Sequence, residues 1–149
     1  MKIKEKIVRL CLILLFQIVS NVAFATMETS KGFDWQPVIN AIIEVESNGN
    51  VKAKSGNSVG AMQITPILHA ECNNILKERK IKKRYVLSDR YSLQKSKEMF
   101  LLMQSKFNPD NNVERAIRAW NGGNKYSVKG TQRYYEKVMK AMKSVKAKS

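Results

Sequence analysis

The stretch IIEVESNGN, residues 42–50, decides how the chain is read. It has the form of the last turn of an apolar helix, with Gly49 suited to the position just past its end. Working backwards, Trp35, Ile39, Ile42 and Glu46 fall at offsets of four, three and four, which places them on one helical face. Val38 and Val45 widen that stripe, and Asp34 stands where a helix cap would. Glu46 therefore occupies a place where a hydrophobe is expected. Packing of the face would take its carboxylate out of water, and the last turn is the negative end of the helix dipole. Both effects favour a retained proton, the condition for a general acid near neutral pH. On spacing alone, the other reading is a solvated glutamate at a frayed helix end. Glu44 is the control: two positions back, it points about 200° around the helix and is expected to be exposed.

Upstream, the first 25 residues read as a secretory signal. Lys2, Lys4, Lys6 and Arg9 precede the apolar run LCLILLFQIV, and Ala23-Phe24-Ala25 is a small-x-small cleavage site. The apolar run is short for a membrane span, which needs about 20 residues. Residues 26–34 read as a flexible lead and residues 35–149 as one folded domain, exported to the periplasm or beyond the cell. Of the two cysteines, only Cys72 lies after the signal, so an internal disulfide is not expected. With one such Cys and one His, His69, a thiolate metal site is not expected either, nor any other cofactor. His69 has no partner apparent in the sequence and reads as an ordinary helix residue.

Charge narrows the partners. The formal net charge is +15, and the signal's four cations against Glu5 account for +3 of it, leaving about +12. Such a field favours an anionic partner. Export makes an acidic wall polymer a better candidate than nucleic acid.

Downstream, the pattern stays helical, without an alternating strand signal. Thr65 and Pro66 form a cap and first position for a second helix carrying Ile67, Leu68, Cys72, Ile75 and Leu76. KERKIKKR, residues 77–84, has six basic residues in eight. Ser92 caps a third helix running through Leu93, Lys97, Phe100 and Met103 to the breaker FNPDNN. A fourth carries Val113, Ala116, Ile117 and Trp120 and ends in NGG. A fifth begins near Thr131, with Tyr134, Val138 and Met142 on one face.

Four segments occur in a telling order: Glu46-Ser47; Gly60-Ala61-Met62-Gln63; Ala119-Trp120-Asn121-Gly122-Gly123; and Tyr134-Tyr135-Glu136-Lys137-Val138. The set resembles the catalytic domain of the soluble lytic transglycosylases, related to goose-type lysozymes. That family shows an E-S pair, then G-L-M-Q, A-Y-N-A-G and Y-V-x-K-V segments in the same order. The resemblance spans about residues 35–143. It implies a compact, mainly α, lysozyme-like domain with a substrate cleft, acting on peptidoglycan glycan strands; a monomer is expected, though nothing in the sequence specifies the oligomeric state. Small domains of this kind accompany secretion or conjugation machines, which need a local hole in the wall, or come from phage.

The resemblance also implies roles. Glu46 would be the catalytic acid, and Ser47 would help to hold the substrate or the acid. Gly60, Met62 and Gln63 would line the cleft, with Gln63 offering a donor and an acceptor to a sugar. Asn121 would sit at the cleft, and Tyr134 would direct its hydroxyl toward Glu46. Ala61, Trp120 and Gly122 depart from the family's usual Leu, Tyr and Ala and are expected to adjust packing or cleft shape.

Glycoside hydrolysis generally takes two carboxylates, and no motif here supplies a second. The resemblance implies a course that needs one: cleavage of the MurNAc-GlcNAc β-1,4 bond with formation of 1,6-anhydro-MurNAc, Glu46 serving as acid and then base. Two other readings stay open. One is a hydrolytic muramidase on the same fold, with Asp89, Asp110 or Glu114 as the partner acid. The other is a basic exported protein that binds wall or nucleic acid without activity. No aromatic side chains interleave the basic run for base stacking.

Overall fold

The computed structural model describes residues 32–146. The predicted signal, residues 1–25, and the lead as far as residue 31 lie outside them. The elements run α1 (Gln36–Ser47), β1 (Lys54–Ser55), β2 (Ser58–Val59), α2 (Pro66–Glu78), a 3-10 helix (Leu87–Tyr91), α3 (Leu93–Phe107), α4 (Val113–Gly122) and α5 (Val128–Lys146). The class is mainly α, as the sequence predicts. The two short strands pair antiparallel in the register Lys54↔Val59 and Ser55↔Ser58. They are too short to show an alternating pattern in the sequence.

Most helix ends follow local chemistry. Thr65 Oγ1 accepts from the Leu68 amide at 3.1 Å, ahead of Pro66 at the first helical position. Ser92 Oγ accepts from the Lys95 amide at the start of α3. Asn112 Oδ1 does the same for the Arg115 amide at 2.8 Å, at the start of α4. At the start of α1 the capping position is Trp35 rather than Asp34, although Asp34 Oδ1 still accepts from the Gln36 amide at 2.9 Å. α1 closes with Asn48 in the left-handed region, at φ 51°, and Gly49 beside it. α5 starts at Val128, three residues ahead of Thr131, because Ser127 Oγ accepts from the Gly130 amide at 2.8 Å.

From Asp34 onward the chain forms one unit. α1 packs along α5 and touches α4, while α2 and the 3-10 helix pack on α3. The core draws on all five α-helices and the loop after β2: Ile39 and Ile42 cluster with Met62, Ile75, Phe100, Ile117 and Val138. Phe100 stands between two indoles, 5.6 Å from the Trp35 ring edge-on and 5.3 Å from the Trp120 ring. Such pairs contribute about 0.5–1.5 kcal/mol each beyond their burial. The α3 stripe differs from expectation. Leu93 is exposed, while Ser96, Met99 and Phe100 turn inward. Cys72 is a core residue, and burial pushes its thiol up to about 12. His69 is not an ordinary helix residue. It is buried, and its Nε2 donates to the Tyr85 carbonyl at 3.0 Å, joining α2 to the segment that follows KERKIKKR.

One buried cation fastens α4 to α5. Arg118 is 3% exposed. Its guanidinium donates to Glu114 Oε1 at 2.7 Å, to the Val128 carbonyl at 3.0 Å, to Thr131 Oγ1 at 3.2 Å and to Gln132 Oε1 at 2.8 Å. It also lies over the Tyr135 ring, 4.4 Å from its centroid. The fork of donors satisfies the charge that burial would otherwise penalise. Removing it leaves several acceptors unpaired, so Arg118→Ala is expected to cost about 2–3 kcal/mol. Urea unfolding checks this as a lower midpoint with an unchanged m-value.

Candidate active site

Glu46 sits in the last turn of α1, partly buried. The packing of α1 along α5 brings it to Tyr134, 88 positions away, whose hydroxyl donates to Glu46 Oε1 at 2.7 Å. Burial raises the Glu46 carboxyl above the usual glutamate range, and the Tyr134 hydrogen bond opposes that rise in part. Burial, with the Glu46 charge beside it, also pushes the Tyr134 hydroxyl upward, so it stays a donor. Glu44 is exposed, on the other side of the helix.

Ser47 follows Glu46, and its hydroxyl donates to the Ala61 carbonyl at 2.8 Å. It thus ties the end of α1 to the loop Gly60-Ala61-Met62-Gln63. That loop is a tight turn closed by Val59 and Ile64, which exchange amide-to-carbonyl bonds of 3.2 and 2.9 Å. Gly60 has φ +80°, and a Cβ there would lie 2.0 Å from the Arg90 carbonyl oxygen. Backbone packing is by itself enough to require the glycine. Gln63 is a non-glycine residue at φ 51°, a conformation that costs about 1 kcal/mol or more. Its amide Nε2 donates to the Gly60 carbonyl at 2.9 Å. Its side-chain oxygen has no partner among the described residues and is open to a ligand.

Met62, expected to line the cleft, is a core residue with a fully buried side chain. Only its backbone serves the site: its carbonyl accepts from the Trp120 indole N–H at 3.2 Å. This bond explains the departure from Tyr at position 120, since the indole both fills space against Phe100 and reaches the loop. Gly122 is explained as well. A Cβ there would lie 2.7 Å from Thr131 Cγ2 and 2.9 Å from Tyr126 Cβ. Asn121 lies exposed in the last turn of α4.

Arg90, which the sequence did not single out, belongs with the loop. Its Nη1 donates to the Asn57 carbonyl at 3.0 Å and to the Ile64 carbonyl at 3.1 Å, spanning β2 and the turn. Nothing in its spacing marks it, because its partners are main-chain atoms.

Trp120 also lines a cavity of about 480 Å³ that α2, α3 and α4 border through Leu68, Met103 and Ala119. A second cavity, of about 260 Å³, lies beside Glu44 and Lys140. Glu46 is in the lining of neither. Among the described residues no three His, Cys, Asp or Glu side chains converge as a metal site would require.

The raised carboxyl has a consequence for stability. A folded-state value above the unfolded one, about 4.3, means that the group's contribution is complete below that pH. It is then lost as pH rises through the folded value. Glu46→Gln removes the ionisation. Thermal melts from about pH 4 to about pH 8 are expected to show a gap in favour of the variant that opens as pH rises.

Compared with known protein families, the chain matches the Transglycosylase SLT domain over residues 23–143. Comparison with curated proteins and with solved structures returns no match.

Proposed function

Because the chain belongs to the transglycosylase SLT family, whose members act on peptidoglycan, we propose that it cuts the MurNAc-GlcNAc β-1,4 bond without water, leaving a 1,6-anhydro-MurNAc end. The observation that carries this reading is the partly buried Glu46 carboxyl, raised by desolvation and held by the Tyr134 hydroxyl. The reaction needs this group to enter protonated, and a carboxyl raised by burial holds its proton to higher pH than an ordinary glutamate. Glu46 gives its proton to the bridging oxygen as the bond to the muramyl anomeric carbon breaks. The developing positive charge is met by the sugar's own acetamido group. Glu46, now a base, takes the proton from the muramyl C6 hydroxyl, whose oxygen closes on the anomeric carbon. The proton count balances, and one carboxylate serves both steps.

In this scheme Ser47 and Tyr134 position the acid, and Gln63 and Asn121 meet the sugar. Met62 contributes its carbonyl to Trp120 rather than a surface to the substrate. The hydrolytic alternative needs a second free acid. Asp89 is paired with Lys95 at 2.7 Å, Glu114 is paired with Arg118 at 2.7 Å, and Asp110 lies exposed in the turn after α3. These engagements favour the water-free course. The site of action we propose is outside the cytoplasm, through cleavage of residues 1–25, which lie outside the described residues.

Mass spectrometry of digested peptidoglycan tests the reaction. Wild type is expected to release anhydro ends, lighter by one water than reducing ends, and Glu46→Gln to lose activity by at least about 100-fold while still binding the wall. Reducing ends would make the protein a hydrolase, and unimpaired lysis by the variant would remove Glu46 from the chemistry.

The basic surface has a role in this setting. With a formal net charge of +15 on the chain, about +12 of it after residue 25, attraction to the carboxylates and phosphates of the wall would concentrate the protein there. Association with insoluble wall, measured by pelleting, is expected to fall as salt rises from about 0.05 to 0.5 M, because the screening length shrinks several-fold.

A further inference from the structure

The cavity beside Trp120 is furnished for a ligand of one kind. Its volume, about 480 Å³, falls in the range of small-ligand sites, about 300–1,000 Å³. Gln104 lines it and is 7% exposed. The Gln104 Oε1 accepts from Asn108 Nδ2 at 3.0 Å, while its amide Nε2 has no partner among the described residues. No fully buried side-chain polar atom among those residues lacks a partner. The Gln104 amide nitrogen is therefore not sealed in the core, and the open space beside it is this cavity. Asn108 is spent, donating to the Asn112 carbonyl at 2.8 Å and accepting from the Asn112 amide at 3.0 Å.

Arg115 is the one charged residue in the lining, and its guanidinium has no acidic partner among the described residues. Glu114, its neighbour in sequence, is committed to Arg118. The polar groups left open toward a ligand thus include a guanidinium and an amide N–H, with no acidic side chain in the lining to balance them. Phe107, Trp120 and Tyr126 supply flat apolar walls. A cation and a neutral donor among aromatic faces suit an anionic acceptor borne on a sugar or a short aliphatic stem.

We propose that this cavity is a carboxylate-reading subsite, with Arg115 as its charge-pairing residue. The inference rests on the glycan-strand reading given above. Trp120 makes the link: it lines the cavity and donates to the Met62 carbonyl, in the loop that Ser47 ties to the end of α1. A strand reaching Glu46 has two sources of carboxylate. One is the lactyl group of a muramic acid stripped of its peptide, and the other is the stem peptide itself.

Binding to the inactive Glu46→Gln protein, followed by calorimetry, tests the proposal with three probes. Chito-oligosaccharide has no carboxylate, an amidase-stripped strand exposes the lactyl carboxylate, and a peptide-bearing strand carries the stem. Adding Arg115→Gln, an exposed and fold-neutral change, is expected to weaken one carboxylated strand about 10- to 100-fold and to change chito-oligosaccharide binding less than about two-fold. The strand that loses affinity identifies the source. Equal losses on all three probes, or no loss on either carboxylated strand, overturn the proposal while leaving the reaction at Glu46 untouched. Failure of every strand to bind, together with no cleavage by wild type, overturns the transglycosylase reading as well.

Discussion

The hydrogen bond from the Tyr134 hydroxyl to Glu46 Oε1 is the contact on which the site depends. A carboxyl in the last turn of an apolar helix is costly, because burial withholds water and the helix end supplies no donors. Tyr134 supplies one. It stands on α5, and the packing of α1 along α5 through residues such as Ile42 and Val138 sets the distance. Core packing and acid chemistry are thus coupled: what presses the two helices together also desolvates the carboxyl. Arg118 adds to the same arrangement from outside the site, since it fixes α4 against the first turns of α5.

The loop Gly60–Gln63 shows a second constraint. Its successive carbonyls are each taken by a side chain. Gln63 Nε2 holds Gly60, Ser47 Oγ holds Ala61 and Trp120 Nε1 holds Met62, while Arg90 Nη1 holds Ile64 just beyond. Those donors come from the loop itself, from α1, from α4 and from the 3-10 helix. A turn carrying positive φ at both Gly60 and Gln63 needs such support, because its backbone is held away from relaxed geometry. Ser47, Gln63 and Trp120, each in one of the motif segments, are thus spent on fixing one turn. The Gln63 side-chain oxygen is the part of it left open.

How much of this was legible in the sequence follows from what each residue contacts. The helices were readable because their signals are local: Thr65-Pro66, Ser92 and the NGG after Trp120 act within a turn or two of chain. The face of α1 was readable because packing has a period. Met62 turns inward where the resemblance put it at the cleft, and Trp120 shows why. Their partners are each other's backbone and ring, 58 positions apart, and neither pattern nor motif says which face of a conserved-looking segment turns inward. Arg118 was invisible because Val128, Thr131 and Gln132 meet it only once α5 folds back on α4, and Arg90 because it binds main-chain carbonyls alone, which leave no trace in residue identity. His69 went unpaired in the sequence for the same reason, its acceptor being the Tyr85 carbonyl. The start of α5 was placed late because Thr131 looks like a cap, whereas the capping oxygen belongs to Ser127.

A strongly cationic protein is an awkward host for a carboxyl that has to hold its proton. Any Lys or Arg within about 4–6 Å would favour the carboxylate and pull the proton off. With 27 Lys and Arg against 12 Asp and Glu, the chain has many chances to do so. Yet the influences on Glu46 are burial and the Tyr134 hydrogen bond, with no cation among them. Lys137 and Lys140 of α5 are exposed and line the cavity beside Glu44 and Val45, in whose lining Glu46 does not take part. The buried cation of α4, Arg118, is engaged by Glu114 and by acceptors on α5. Positive charge is therefore kept out of the few ångströms where it would draw the proton off Glu46, and on the proposed reading it remains free to attract an acidic wall at long range. The two demands conflict only at short distance, and folding the carboxyl against a tyrosine rather than a lysine is what separates them.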